Sequence, residues 1–208
     1  MTDGVAADGT TLTASYGSQV TAANLSVLVD GETLVYRRFG NPKHAPPLLC
    51  LQHFRGNLDF WDPLLVDRIT KDREVILLAN RGVGSSTGVV PETVTDMTGD
   101  VILFLKELEI DLVDVLGFSL GGYIAQELAL LRPRLVRRLV LAGTAPKGAP
   151  NVHRWSDDVY AHACADDITP EAALNIFFSG SDLDPRVDRS AGLAGGVEAR
   201  WRYADGGD

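Results

Sequence analysis

The sequence lacks any hydrophobic run long enough to span a bilayer, which takes about 20 apolar residues. It also lacks an excess of basic residues, since 19 Lys and Arg stand against 28 Asp and Glu. The net charge of −9 makes a sequence-independent grip on nucleic acid or on an anionic membrane unexpected. Residues 1–18 contain neither Lys nor Arg and no apolar stretch, so no secretory signal is predicted. We therefore expect a cytoplasmic protein that binds neither nucleic acid nor membrane.

Cysteine and histidine are scarce, at two and four residues. Cys50 and Cys164 make no disulfide framework, and Cys50 lies in an apolar run where a buried structural thiol is the default. No cluster of Cys and His has the spacing of a metal site. The sequence therefore predicts no metal and no cofactor.

The remaining pattern alternates apolar runs with amphipathic stretches. A β-hairpin is predicted over residues 25–39, because alternating apolar residues flank the turn Asp30-Gly31. Four buried strands are predicted at 47–51, 74–79, 112–116 and 136–141, and three helices from Pro63 after the cap Asp62, over 91–108 and over 120–131. This order predicts an α/β fold around a mostly parallel sheet.

The same pattern divides the chain into four segments. We expect a flexible tail over residues 1–19 and the folded core over 20–149. Residues 150–179 are predicted to form a partial cap region, with short helices near 153–165 and 170–178. Residues 180–208 are mainly Gly, Asp, Arg and Ala with neither period, which predicts an unpatterned tail.

One motif carries chemistry. Gly117-Phe118-Ser119-Leu120-Gly121 matches G-x-S-x-G between a predicted strand and a predicted helix, the context of a nucleophile elbow. The sharp turn needs glycines on either side of Ser119, and it presents the serine hydroxyl at the edge of the sheet. The N–H of Leu120, directly after the nucleophile, would face a developing oxyanion. The alternative is a Gly-rich turn that only packs tightly.

Four segments in this order resemble the α/β-hydrolase superfamily, most nearly its cofactor-free haloperoxidase/esterase-like branch. They are the leading hairpin, the loop 51–57, the loop 80–86, and 117–122 with the following helix. The resemblance implies an α/β-hydrolase fold whose third and fifth strands are neighbours, which would bring the loop 52–56 over Ser119. It also implies that the backbone N–H groups of Phe54 and Leu120 hold the oxyanion. His53 and Phe118 are expected to line the substrate pocket, and Trp61 would add to its apolar wall.

The chain departs from these relatives at two positions. Gln52-His53 stands where His-Gly is usual, and Asn80 stands where many have Asp. His53 is not expected to be the catalytic base, because the base follows the nucleophile and the acid in this superfamily. A role in orienting the loop or lining the pocket is favoured for His53. The glycine-rich stretch 82–88 is read as a hydrolase loop rather than a dinucleotide fingerprint, because no helix follows it directly.

No acid and base are recognisable after Ser119. Two further strand–helix units of roughly 30 residues each would be needed to carry them, and His162 is the last histidine. We therefore expect a truncated hydrolase with its last two strands missing, of doubtful activity; the loss of pattern near Gly180 would suit an out-of-frame reading. The predicted function is cleavage of an ester or other acyl bond in a small hydrophobic substrate. A non-catalytic homologue that binds a small ligand remains the alternative, a nucleotide-binding domain the third, and the oligomeric state is open.

Overall fold

The structure is a computed structural model that describes residues 17–42, 45–150, 152, 156–165 and 169. Six strands form one sheet: β1 (Leu25–Val29), β2 (Glu32–Gly40), β3 (Leu48–Leu51), β4 (Glu74–Leu78), β5 (Val113–Phe118) and β6 (Val136–Ala142). Four helices accompany it: α1 (Pro63–Ile69), α2 (Val94–Glu107), α3 (Leu120–Leu131) and α4 (Asp157–Cys164). The predicted helix 170–178, the tail 180–208 and residues 1–16 lie outside the described part.

The sheet is mixed, with strand order β1-β2-β4-β3-β5-β6. The first two strands form the predicted hairpin, and its turn residues Asp30 and Gly31 have φ values of 48° and 80°. Two successive positive φ values are what a tight two-residue hairpin turn requires. β2 also pairs antiparallel with β4, whereas β4, β3, β5 and β6 run parallel. The predicted mostly parallel sheet with adjacent third and fifth strands is confirmed.

Helix boundaries follow the capping residues. Asp62 accepts a hydrogen bond from the N–H of Leu64, and Pro63 opens α1 as predicted. α2 starts three residues later than predicted, because the Thr93 side chain accepts from the N–H of Asp96 and so caps the helix there. In the cap region α4 begins at Asp157, whereas His153 lies outside the described residues.

Alternating strand residues build a core on each face of the sheet. One core packs α2 and α3 through Phe104, Ile124 and Leu128 against the strands. The other holds Trp61, which is only 5% exposed and therefore belongs to the interior rather than to a pocket wall. Cys50 lies in the same core, where burial raises the pKa of its thiol to about 12. It is the inert buried cysteine that the sequence predicts.

The N-terminal end of the described chain is attached to α1. The hydroxyl of Ser18 donates to the Asp67 carboxylate at 2.6 Å, and the N–H of Gln19 donates to the same group at 2.7 Å. The Gln19 amide also donates to the Leu58 carbonyl, and its side chain is buried. Ser18 and Gln19 are thus packed against the core, although the predicted flexible tail included them. Among the described residues, no helix is long and apolar enough to cross a membrane.

Within the described chain, β6 pairs only with β5, so its outer edge carries unpaired N–H and C=O groups. The edge is apolar, because Leu139, Val140 and Leu141 are exposed by 37%, 55% and 44%. Such an edge is a template for pairing with another chain. β6 is therefore an edge at which the described chain can pair with another copy.

We expect Val140→Lys to reduce self-association of the purified protein, because a charged lysine disfavours edge-to-edge pairing. Sedimentation velocity over a range of concentrations would measure the effect. Leu64→Lys is the matched control, since Leu64 on α1 is an equally apolar residue that is 83% exposed away from the edge. Equal effects of the two substitutions would contradict an association through β6.

Candidate active site

Ser119 lies between β5 and α3, at the tip of a tight strand-to-helix turn. Its φ is 51° and its ψ is −113°, a left-handed conformation that a residue with a side chain rarely adopts. Two hydrogen bonds impose it: the Ser119 N–H donates to the Ala142 carbonyl at 2.9 Å, and the Ser119 carbonyl accepts from the Gly122 N–H at 2.9 Å. Backbone strain of this kind persists only where the surroundings enforce it, and it is concentrated at functional sites.

The glycines around Ser119 are required by close backbone packing. A Cβ atom at Gly117 would lie 2.5 Å from the Gly121 carbonyl oxygen. At Gly121 it would lie 2.1 Å from the Leu51 carbonyl oxygen, and at Gly122 2.4 Å from the Thr144 methyl group. The elbow therefore packs directly against β3 and against the segment after β6. This explains the G-x-S-x-G spacing physically.

The loop after β3 is hydrogen-bonded to the elbow. The N–H of Gly121 donates to the Gln52 carbonyl at 3.0 Å. Beyond Gln52 the chain makes a tight turn, closed by a 3.0 Å hydrogen bond from the Gly56 N–H to the His53 carbonyl, with Arg55 at φ 63°. We call residues 53–56 the oxyanion turn, after the role predicted for Phe54. Because β3 and β5 are adjacent parallel strands, this turn and Ser119 meet at the same edge of the sheet.

A cavity of about 590 Å³ opens at this edge, and Phe54, Ser119 and Leu120 share its wall. The structure thus brings together the predicted nucleophile and both residues predicted to hold the oxyanion. The other residues that line the cavity are Val94, Tyr123, Gln126, Glu127, Leu130, Pro146, Lys147 and Gly148.

Most residues of this wall are not predicted by the sequence. The members on α3 recur at helical spacing after Leu120, namely Tyr123, Glu127 and Leu130, so a helical projection from Ser119 could have found them. The stretch 146–148 gave no such signal, since it reaches the cavity only through the fold.

Neither His53 nor Phe118 is among the described residues that line this cavity. The Phe118 side chain is half-buried and packs against the core that contains Trp61. His53 is 9% exposed, and its ring makes an edge-to-face contact with Phe118 at 5.3 Å between centroids. It lines another cavity, of about 290 Å³, which shares Phe54 and Leu120 with the first. The expectation that both residues line the substrate pocket stays a prediction.

Ser119 makes no hydrogen bond through its hydroxyl to the described residues, and it does not cap α3 with its side chain.

Burial lowers the pKa of His53, which favours a neutral ring. In the described part of the chain, no group of three or more His, Cys, Asp or Glu could hold a metal ion.

The glycine-rich loop after β4 folds back onto the sheet. The Ser86 hydroxyl accepts from the Val35 N–H and donates to the Ala79 carbonyl, both at 2.9 Å. The loop is followed by α2 only at Val94, so it does not open a helix as a dinucleotide-binding loop does. Its buried serine ties the loop to β2 and β4.

Known proteins share this architecture. A family model described as alpha/beta hydrolase fold matches residues 46–191. The solved structure of an alpha/beta hydrolase fold protein from Chitinophaga pinensis is 38% identical, with a TM-score of 0.73 over 86% of this chain and 62% of that chain. The enol-lactonase from Burkholderia xenovorans LB400 is 27% identical, with a TM-score of 0.62 over 76% of this chain and 61% of that one.

Among curated proteins, one named "Putative carbamate hydrolase RutD", from Rhizobium rhizogenes, is 32% identical over 115 residues. The match takes in 54% of this chain and 44% of that protein, so the chain spans less than half the length of this relative. The family model, by contrast, covers well over half of the chain and includes the elbow, the oxyanion turn and the sheet from β3 onward. The chain therefore belongs to the α/β-hydrolase fold family.

Proposed function

We propose that the protein is a serine hydrolase that cleaves an ester or other acyl bond of a small hydrophobic substrate, with Ser119 as the nucleophile. The observation that carries the proposal is the strained turn at Ser119, whose φ of 51° is enforced directly beside an apolar cavity. Strain at a residue that only packs would be a pure cost. At a nucleophile, the strained conformation holds the hydroxyl away from the backbone and toward the carbonyl group of a bound substrate.

The proposed reaction proceeds through an acyl-enzyme. The Ser119 oxygen bonds to the carbonyl carbon of the substrate while a general base takes the hydroxyl proton. Charge develops on the carbonyl oxygen, which the N–H groups of Leu120 and Phe54 stabilise. When the tetrahedral intermediate collapses, the bond to the leaving group breaks and the proton passes to that group. Water then adds to the acyl carbon and releases Ser119.

The local structure suits Leu120 to this role. Leu120 is the first residue of α3, where backbone N–H groups have no carbonyl partner inside the helix. The next N–H, of Gly121, is already engaged by the Gln52 carbonyl, whereas Leu120 lines the cavity, which supports its N–H as the donor. The positive end of the helix dipole also favours a negative charge there.

The substrate class follows from the cavity wall. Phe54, Val94, Leu120, Leu130 and Pro146 make most of it apolar, and about 590 Å³ suits a small or medium ligand. The names of two relatives, a carbamate hydrolase and an enol-lactonase, denote bonds at an electrophilic carbonyl carbon. We therefore propose an esterase-like acyl substrate, and the proposed steps use no cofactor.

A fluorescent fluorophosphonate probe tests the proposal, because it bonds to an activated serine and leaves an unactivated one unchanged. We expect stoichiometric labelling of the protein, complete loss of labelling in Ser119→Ala, and full labelling in Ser85→Ala. Ser85 is a suitable control because it is an exposed loop serine. Peptide mass mapping would locate the adduct. Labelling on a residue other than Ser119 would refute the assignment.

One observation favours a second function, the binding of a small apolar ligand without turnover. Within the described residues, the Ser119 hydroxyl has no hydrogen-bonding base. This alternative expects no labelling by the fluorophosphonate, together with saturable binding of a non-hydrolysable apolar ester analogue. The proposed hydrolase expects both labelling and binding, so the pair of measurements separates the two.

A further inference from the structure

We propose that His53 is a positioning residue whose imidazole locks the oxyanion turn and thereby aims the Phe54 N–H at the cavity of Ser119. The inference rests on the proposed function, in which that N–H stabilises the oxyanion. It starts from a hydrogen bond inside the turn: the Nδ1 of His53 lies 2.6 Å from the carbonyl oxygen of Phe54. A carbonyl oxygen only accepts, so Nδ1 carries the hydrogen and the neutral ring is the Nδ1–H tautomer.

Two hydrogen bonds fix both peptide planes that flank Phe54. The plane before it contains the His53 carbonyl and the Phe54 N–H, which point in opposite directions across a trans peptide bond. The His53 carbonyl accepts from the Gly56 N–H at 3.0 Å inside the turn, so the Phe54 N–H points away from it. The plane after Phe54 is held by the imidazole through the Phe54 carbonyl. The two hydrogen bonds together restrain the φ and ψ angles of Phe54.

The imidazole itself is held by packing. Its ring makes edge-to-face contacts with Phe60 at 5.7 Å and with Phe118 at 5.3 Å between centroids, and the side chain is 9% exposed. Burial also lowers its pKa, so the ring stays neutral and keeps a defined tautomer. Phe118 is the residue directly before Ser119, so the imidazole packs against the elbow as well as against its own turn.

The start of the turn is attached to the elbow through Gln52. The His53 N–H donates to the Gln52 side-chain carbonyl at 2.9 Å, and the Gln52 main-chain carbonyl accepts from the Gly121 N–H at 3.0 Å. Gly56 packs closely against both residues, because a Cβ atom at Gly56 would lie 2.1 Å from the Gln52 side chain and 3.1 Å from the His53 ring. Gln52, His53 and Gly56 thus form one packed unit around the turn that carries Phe54.

This role differs from that of a catalytic base. A base needs its nitrogen at the Ser119 hydroxyl, whereas His53 is not among the residues that line the Ser119 cavity and uses Nδ1–H on a carbonyl. In the proposed role it acts through the Phe54 carbonyl that its Nδ1–H holds. A misplacement of the oxyanion donor by about 1 Å can slow a reaction about 100-fold, and that is the effect that loss of the imidazole should produce.

Two substitutions separate the hydrogen bond from the ring packing. His53→Asn keeps an N–H donor at the position of Nδ1 and loses the ring, whereas His53→Phe keeps the ring contacts and loses the donor. We expect the rate constant of fluorophosphonate labelling at saturation to fall about 100-fold in His53→Phe, with little change in the half-saturating concentration. His53→Asn should stay within a few-fold of the unchanged protein. Thermal unfolding of each variant would verify folding, and His53→Gln, whose donor lies one bond further out, replaces His53→Phe if that variant does not fold.

A spectroscopic readout makes the test independent of serine reactivity. In ¹⁵N NMR of the full chain we expect the Nδ1–H tautomer for His53, and a displaced Phe54 amide resonance in His53→Phe that returns in His53→Asn. Absence of labelling together with these resonances would reject the hydrolase proposal and retain the lock. An Nε2–H tautomer, an unmoved Phe54 amide in His53→Phe, or better labelling in His53→Phe than in His53→Asn would overturn the positioning role.

Discussion

Replacing Gly121 by alanine should destabilise the protein by about 3 kcal/mol or more, the upper range for inserting an atom into a packed interior. The added methyl group would lie 2.1 Å from the carbonyl oxygen of Leu51 and 2.9 Å from that of Gln52. Both are backbone atoms, so no side-chain rotation relieves the clash. β3, which ends at Leu51, is itself held by β4 on one side and β5 on the other.

The same substitution should displace the oxyanion turn. The Gly121 N–H holds the Gln52 carbonyl at 3.0 Å, and any shift that accommodates a methyl group lengthens this contact. We therefore expect Gly121→Ala to lose fluorophosphonate labelling even at temperatures where it remains folded. Urea denaturation followed by circular dichroism would give the change in unfolding free energy, and labelling of the folded fraction would give the change at the site.

Gly99→Ala is the matched control. Gly99 lies inside α2, and a Cβ atom there would meet no other atom within 4 Å. Alanine is a better helix former than glycine by about 1 kcal/mol, so this substitution should stabilise the protein. Similar losses of stability at Gly121 and Gly99 would mean that the backbone contact between the elbow and β3 is not the cause.

Features determined by neighbouring residues were predictable from the sequence. Asp30-Gly31 specifies a hairpin turn by its own backbone preferences, and the strands on either side formed as expected. The G-x-S-x-G motif predicts the elbow because its glycines stand where a Cβ atom would clash with nearby backbone atoms. Both ends of α3, at Leu120 and Leu131, agree with the prediction to the residue. Each of these signals lies in a short stretch of sequence and can be interpreted without knowledge of the fold.

Features that depend on contacts between distant segments were not predictable. Nothing in the sequence indicates that residues 146–148 complete the wall of the Ser119 cavity. Trp61 was expected in the apolar wall of the pocket, but it packs in the core. The sequence predicts a loop-orienting or pocket-lining role for His53, and the structure shows that its ring holds the Phe54 carbonyl oxygen.

A buried ion cluster at the opposite end of β5 shows the same limit. Asp114 is 3% exposed, and its carboxylate accepts from Arg73 at 2.9 Å and from Arg137 at 2.9 and 2.7 Å. Arg73 also donates to the Pro46 carbonyl, so the cluster joins the entry of β3, the entry of β4 and β6. In the sequence Asp114 is one polar residue within an apolar run, with no sign of its two partners.

Asp114→Asn should lower the unfolding free energy at neutral pH by about 2 kcal/mol, because it leaves two guanidinium groups facing a neutral amide in a largely buried position. The expected loss is smaller than for a fully buried pair because Arg137 reaches solvent. Hydrogen bonding from Arg137, followed by that from Arg73, holds the pKa of Asp114 below its ordinary value of about 3.9, against the opposing effect of burial. The stabilisation by the ionised carboxylate is therefore complete above that ordinary value and is lost as the pH falls below it.

Urea denaturation of the unchanged protein and of Asp114→Asn between neutral pH and about pH 3 should show the two curves of unfolding free energy converging in acid. Labelling of Ser119 should be unaffected in folded Asp114→Asn, because Asp114 lies at the start of β5 and the elbow at its end. A constant difference in stability across the pH range would show that the asparagine acts through packing and not through the lost charge.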